Sequence, residues 1–236
     1  MKIYTNPERK SWNEITRRAT IQNDELQETV QSILHEVKTR GDEALLKFGK
    51  KFDNPTLSDI VVSSEEIKAA SQHISEDLKH AIQTAIRNIR TFHTNQEEIP
   101  SVTETQFGVK CWRKSIAIEK IGLYIPGGTA PLFSTILMLA VPATIAGCKD
   151  IILCTPEGKE GIHPAILYAA GQTGVTAIYK AGGAQAIAAM AYGTGTIPKV
   201  HKIFGPGNQF VTQAKMMVNA EGIAIDMPAG PSEVMV

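Results

Sequence analysis

The chain has 236 residues, enough to bury one large core or two small ones. Lysine plus arginine and aspartate plus glutamate each number 24, so no net field attracts nucleic acid or an anionic membrane. The three cysteines show no metal or disulfide spacing, and the N-terminus lacks the apolar core of a signal peptide, which together predict a cytoplasmic protein.

The first half of the chain shows the period of amphipathic helices. Apolar positions recur at helical spacing from Leu26 onward, and Gly41 is placed to end that helix. A longer helix carries an apolar stripe from Leu78 to Phe92. Residues 102–119 alternate loosely between apolar and polar, which predicts strands.

The two halves of the chain differ in charge. Residues 1–120 hold 18 basic and 18 acidic side chains, whereas residues 121–236 hold six of each, so solvated helices are expected to precede an apolar, layered core. We therefore predict four segments: an arm (1–22), a helical lobe with strands that is part of a first, incomplete α/β domain (23–120), a second α/β domain (121–232) and the start of a truncated strand (233–236).

A long uncharged stretch runs from Ile121 to Cys148 and resembles a membrane span at first sight. Prolines and a glycine pair interrupt it, and its longest apolar run is too short to cross a bilayer. It is therefore interpreted as a buried strand, a loop and a buried helix.

Five apolar runs after Lys120 have the character of strands, and each ends in a loop rich in glycine or proline. They are IGLYI, DIILC, TAIYK, HKIF and GIAID. Single helices between them indicate βαβ units, so we predict an α/β fold in which a helical lobe precedes an incomplete doubly wound, mostly parallel sheet. Ligands of such sheets bind beyond the carboxyl ends of the strands, where these loops lie.

Two of the loops lead into helices and contain candidate site residues. GPGN places Asn208 at a helix start, where it either contacts a ligand or only caps the helix. The loop has two of the three glycines of a dinucleotide fingerprint, with Phe210 at the third position, so the motif alone is weak. In AGGAQ, Gln185 either reaches a ligand above the sheet edge or is solvated.

Two further candidates lie near strand ends. Tyr124 closes IGLYI and either stacks on a planar ligand or packs within its strand. Ser232 in AGPSE binds a ligand group or serves as a turn residue. If the sheet is parallel, these two residues and those of the glycine loops must meet at one edge. No Walker A, H-E-x-x-H or G-x-S-x-G motif is present, and neither a metal site nor a catalytic base is evident.

Five sequence blocks together resemble the amino-terminal half of histidinol dehydrogenase, in that family's order and approximate spacing. They are IGLYIPGGTAPL, VPATIAGCKDIILCTP, AGGAQAIAAMAYGT, KIFGPGNQFVTQAK and AIDMPAGPSEV, of which GPGN followed by FVT, and DMPAGPSE, are the most specific. The resemblance implies that the full-length protein oxidises the small molecule L-histidinol to L-histidine in two NAD-dependent steps. It also implies a zinc-containing, cytoplasmic homodimer that binds neither nucleic acid nor a membrane.

The resemblance also assigns roles by position. It implies NAD contacts for Tyr124, Gln185 and Asn208 and a substrate contact for Ser232. The family's zinc ligands and its Glu-His acid/base pair have no counterparts before Val236, so no catalytic or metal residue is assigned and the chain alone is expected to be inactive. Two alternatives remain open: a dehydrogenase of the same superfamily that acts on another primary alcohol, and a non-catalytic nucleotide-binding or assembly fragment.

Overall fold

The computed structural model of the protein describes residues 3–16, 24–98, 100–128 and 130–227. The N-terminal part is helical, apart from short 3-10 turns. Its helices are α1 (Trp12–Ile15), α2 (Asp24–Arg40), α3 (Asp42–Phe52), α4 (Ser64–Ala70) and α5 (Glu76–Thr94). A hairpin follows, in which β1 (Val102–Gln106) pairs antiparallel with β2 (Val109–Trp112).

The second half of the chain alternates strands and helices, as the sequence predicts. In order these are β3 (Lys120–Tyr124), α6 (Phe133–Ile145), β4 (Asp150–Thr155), α7 (Pro164–Gly171), β5 (Ala177–Lys180), α8 (Gly183–Tyr192), β6 (Lys202–Phe204), α9 (Gln209–Ala220) and β7 (Ala224–Ile225). The uncharged stretch contains β3 and α6, which confirms its interpretation as strand, loop and helix. Within the described residues, no helix is both long and apolar enough to span a bilayer.

The sheet has the order β5-β4-β3-β6-β7, and all its paired strands are parallel. The chain moves outward from β3 to β5 and then returns to the other side of β3. Because the order reverses there, the loops that follow β3 and β6 border one crevice at the carboxyl edge. The predicted α/β class, with a doubly wound parallel sheet, is confirmed.

Helices cover both faces of the sheet and define two hydrophobic clusters. One cluster joins α2 and α3 to α8 and α9, through residues such as Val30 and Ile187. The other joins α4 and α5 to α6 and α7, through residues such as Ile82 and Leu137. Each cluster contains residues from both sides of position 120, and the predicted domain boundaries stay predictions.

The end of α2 follows a local sequence signal, whereas the prediction that the apolar stripe of α5 is buried is wrong in part. Gly41 ends α2 with a φ of 52°, in the left-handed region that favours glycine. In α5, Ile82 and Ile86 are buried as predicted, but Phe92 is 64% exposed and makes an edge contact with His93 instead. The apolar stripe of α5 therefore continues beyond the part of the helix that is buried.

Candidate functional site

A cavity of about 780 Å³ lies at the carboxyl edge of the sheet. Its walls are the loops after β3 and β4, the first turns of α7, α8 and α9, and parts of α2 and α3. Tyr124, Gln185 and Asn208 all line it, so the expected meeting of these three residues at one edge is confirmed. Ser232 lies outside the described residues.

Tyr124 is both a packed strand residue and a cavity residue. It is 3% exposed, and its hydroxyl oxygen accepts a hydrogen bond from the Gly183 N–H at 3.0 Å. Burial raises the tyrosine pKa to about 12, although the Gly183 N–H opposes this shift. The hydroxyl therefore keeps its proton at neutral pH, and this proton is what Tyr124 can donate to a ligand.

Gln185 occupies the first turn of α8 and is only 3% exposed, so the alternative of a solvated glutamine is wrong. The burial follows from packing, because every residue of α8 from Ala184 to Ala191 is buried. Its amide makes no hydrogen bond to another described residue. The amide is not one of the fully buried, unpartnered polar atoms, which among the described residues are Asp53 Oδ2 and Thr155 Oγ1. It is therefore open to the cavity that it lines and can bond a ligand there.

Asn208 caps α9, as one reading of the sequence predicts. Its Oδ1 accepts hydrogen bonds from the N–H groups of Phe210 and Val211 at 3.0 and 3.1 Å. These two bonds use the side-chain oxygen and leave the Nδ2 group free to donate to another partner. Because the cap already occupies these N–H groups, the start of α9 is a weaker anion site than the bare loop sequence suggests.

The GPGN loop is held by an ion pair between the buried Lys215 and the partly buried Asp226. Asp226 Oδ2 accepts the Gly205 N–H at 2.8 Å, and Lys215 Nζ donates to the Gly205 carbonyl at 3.0 Å. Gly205 has a φ of 132°, and a Cβ there would lie 2.0 Å from the carbonyl oxygen of Tyr124. Only glycine fits at this position, and both polar groups of its backbone are satisfied.

Asp53, at the end of α3, is a cavity residue that sequence reasoning missed. Burial raises its pKa to about 6, against the opposing effect of the Gly182 N–H. Its Oδ2 is buried and has no hydrogen-bond partner among the described residues. Asp53 belongs to a helix remote in sequence from the glycine loops, so no motif connects it to the site.

A second carboxylate in the cavity, Glu157, is fully compensated. Lys180 bridges it to Glu66, with Nζ–O distances of 3.0 and 2.7 Å, and Asn54 Nδ2 donates to it at 3.0 Å. Lys180 ends β5, whereas Glu66 lies in α4 and Asn54 follows α3. This network therefore fixes the N-terminal helices to the rim of the cavity.

The site fits one of the two cofactors that the resemblance implies. NAD suits a cavity of this size at a strand-order reversal, lined by an amide and a tyrosine hydroxyl that can both bond a ligand. Zinc does not fit the described part of the chain, where no three His, Cys, Asp or Glu side chains are grouped to hold a metal ion.

Comparisons with known proteins agree with one another. The family model described as histidinol dehydrogenase matches residues 16–236. Among curated relatives, the histidinol dehydrogenase of Bacteroides thetaiotaomicron is 57% identical over all of this chain and 55% of its own length. That of Escherichia coli (strain K12) is 54% identical over 94% of this chain and 51% of its own length.

A solved structure leads to the same family. The crystal structure of histidinol dehydrogenase from Elizabethkingia anophelis superimposes with a TM-score of 0.90 at 53% identity, covering 97% of this chain and 53% of that one. The chain thus spans about half the length of the relatives it matches. Since the family model covers most of the chain and the identities are well above 50%, this chain belongs to the histidinol dehydrogenase family.

Proposed function

We propose that this chain forms the NAD-binding half of an enzyme that oxidises L-histidinol to L-histidine through L-histidinaldehyde, in the last steps of histidine biosynthesis. The single observation that carries the proposal is that Tyr124, Gln185 and Asn208, which three different loops supply, line one cavity where the strand order reverses. The Gln185 amide in that cavity makes no hydrogen bond to another described residue. A site built to hydrogen-bond a specific polar ligand has this arrangement, because its polar groups are paired only when the ligand is present.

The three site residues divide the work of binding. Tyr124 donates its remaining hydroxyl proton, Asn208 donates from Nδ2, and the Gln185 amide both donates and accepts. NAD, when bound, supplies the acceptor for the hydride that leaves the substrate carbon. The chain's own residues bind and orient the cofactor at the sheet edge and exclude water from one side of it.

The proposal for the whole protein is broader than that for this chain. It includes a cytoplasmic, zinc-containing homodimer in which Ser232 contacts the substrate. For the 236-residue chain alone, we propose cofactor binding without turnover, since the family's acid/base pair and zinc ligands, which serve proton transfer and substrate polarisation, have no counterparts that we assign in this sequence. Histidinol-dependent formation of NADH by the purified chain would contradict this part.

Calorimetric titration of NAD into the wild-type chain and a Gln185→Met variant tests the cofactor proposal. Methionine has a similar volume but no hydrogen-bonding amide, so we expect the NAD affinity to fall about tenfold. The free energy of unfolding should change by less than about 1 kcal/mol, because the amide makes no hydrogen bond to another described residue. A loss of affinity with unchanged or higher stability separates a binding role from a structural one.

Gln209→Met is the matched control, because Gln209 begins α9 on the exposed surface and does not line the cavity. It should leave the NAD affinity within about twofold of the wild-type value. Absence of binding at millimolar NAD in the wild-type chain would refute the cofactor proposal, and equal affinities of wild type and Gln185→Met would refute the role of Gln185.

A further inference from the structure

The charged groups around the cavity are unequally compensated. Glu157 is paired with Lys180, and Lys51 Nζ lies over the ring of Phe52, 5.0 Å from its centroid. His163 Nδ1 accepts the Ala165 N–H at the start of α7. Among the described residues that line the cavity, Asp53 is the carboxylate without a cationic partner. Its charge is therefore available to act on whatever occupies the cavity.

Asp53 also lies against the start of α8. Gly182 is the N-cap of that helix and has no side chain to cap it. Both carboxylate oxygens of Asp53 are 2.9 Å from the point where a Cβ of Gly182 would lie, and the next amide, Gly183 N–H, donates to the Tyr124 hydroxyl. The helix start compensates the carboxylate only in part, because Oδ2 is still buried without a described partner.

We propose that Asp53 sets the redox-state specificity of the cofactor site, with its carboxylate favouring the positively charged pyridinium ring of oxidised NAD over the neutral ring of NADH. This inference rests on the proposed function. The cofactor's phosphates are anionic and are repelled by an uncompensated carboxylate, and its adenine is neutral. The pyridinium ring is the one cationic group that the cofactor offers, and its attraction to a partly buried carboxylate is screened less than between two groups fully exposed to water.

The test compares the affinities of NAD⁺, NADH and AMP for the wild-type chain and for Asp53→Asn. NAD⁺ and AMP are titrated by calorimetry, and NADH by its fluorescence. We expect the NAD⁺ affinity of Asp53→Asn to fall about five- to tenfold while the NADH and AMP affinities change less than about twofold. Asp53→Glu, which keeps the charge, should keep the preference for the oxidised form.

Asp59→Asn is the matched control. Asp59 is exposed in the loop that follows α3, accepts a bond from the Ser58 hydroxyl at 2.8 Å and does not line the cavity. Its replacement removes the same formal charge and should leave all three affinities unchanged. Circular dichroism and thermal unfolding of each variant show whether it is folded before binding is compared.

The remaining outcomes overturn the inference in different ways. Equal weakening of NAD⁺, NADH and AMP in Asp53→Asn would assign the carboxylate to a hydroxyl group that all three share, such as that of a ribose. Equal strengthening would mean that Asp53 only repels phosphate. An unchanged NAD⁺ to NADH ratio, in a wild-type chain that binds NAD⁺, would overturn this inference alone, whereas a wild-type chain that binds no NAD⁺ would also overturn the proposed function.

Discussion

Two glycine loops border the same cavity but treat their polar groups in opposite ways. In the GPGN loop, Lys215 and Asp226 satisfy both backbone groups of Gly205, and the loop is closed on itself. Around the AGG loop, the Gln185 amide makes no hydrogen bond to a described residue, and one oxygen of Asp53 is buried without a described partner. The GPGN loop thus maintains the shape of the site, whereas the polar groups around the AGG loop are available to bond a ligand.

The largest expected effect comes from breaking the closed loop at its glycine. In Gly205→Ala, the new Cβ would lie 2.0 Å from a backbone oxygen of Tyr124, at a φ of 132° that disfavours any side chain. Backbone on both sides must move, so we expect the free energy of unfolding to fall by about 4 kcal/mol or the chain not to fold. Urea unfolding followed by circular dichroism measures this.

Gly128→Ala provides the comparison for that experiment. A Cβ at Gly128 meets no atom within 4 Å, and its φ lies outside the left-handed range. The free energy of unfolding should change by less than about 0.5 kcal/mol. A similar loss in both variants would mean that the close approach of Gly205 to Tyr124 is unimportant.

A smaller but still large effect is expected when the ion pair of the same loop is broken. Lys215→Met keeps most of the unbranched side chain and leaves Asp226 as a partly buried, unpaired carboxylate beside the Gly205 N–H. Removing one partner of a buried pair costs about 3 kcal/mol of unfolding free energy, more than the pair itself contributes. Urea unfolding of Lys215→Met, of Asp226→Asn and of the double variant Lys215→Met/Asp226→Asn measures the losses.

The double variant tests the pairing of Lys215 with Asp226 more directly than Lys215→Met does. It removes both charges, so we expect it to regain about half of the stability that Lys215→Met loses. If the double variant loses the sum of the two single losses, the two residues act independently and the loop is not held by their pairing.

The sequence alone predicts most of the arrangement of residues on the GPGN side of the site. The alternation of apolar runs with single helices predicts a parallel sheet, and such a sheet brings the ends of its strands to one edge. The sequence alone therefore groups Tyr124, Gln185 and Asn208 at that edge. The cap by Asn208 follows equally from its place before Phe210 and Val211.

What the sequence did not predict depends on contacts between distant segments. Asp53 reaches the cavity because the end of α3 packs beside Gly182, and no local pattern encodes that approach. The burial of Gln185 depends on the helices packed around α8, which a polar residue in a first turn does not reveal. Phe92 is less buried than expected, whereas Gln185 is more buried. Periodicity identifies the apolar face of a helix but not how far along the helix other elements cover that face.

The smallest expected effect concerns the free energy of unfolding, which the Asp53 carboxylate beside the AGG loop lowers. The pKa of Asp53 is raised from 3.8 to about 6 by burial, so between about pH 4 and pH 6 the folded chain holds a proton that the unfolded chain releases. This contribution to stability is lost as pH rises through the folded pKa, and the ionised carboxylate then destabilises the fold. Because the side chain is partly exposed, solvent screening reduces the cost to about 1 kcal/mol.

Asp53→Asn should therefore be more stable than the wild type by about 1 kcal/mol at pH 8, with the difference shrinking to a small fraction of that near pH 4. Urea unfolding at both pH values measures it, with Asp59→Asn as the variant in which no pH-dependent gain is expected. Equal stabilities of Asp53→Asn and wild type at pH 8 would mean that the helix start at Gly182 fully compensates the carboxylate. A higher stability of Asp53→Asn at pH 8 would instead show that the Asp53 carboxylate destabilises the folded chain. Such a cost is expected of a residue that serves binding rather than folding.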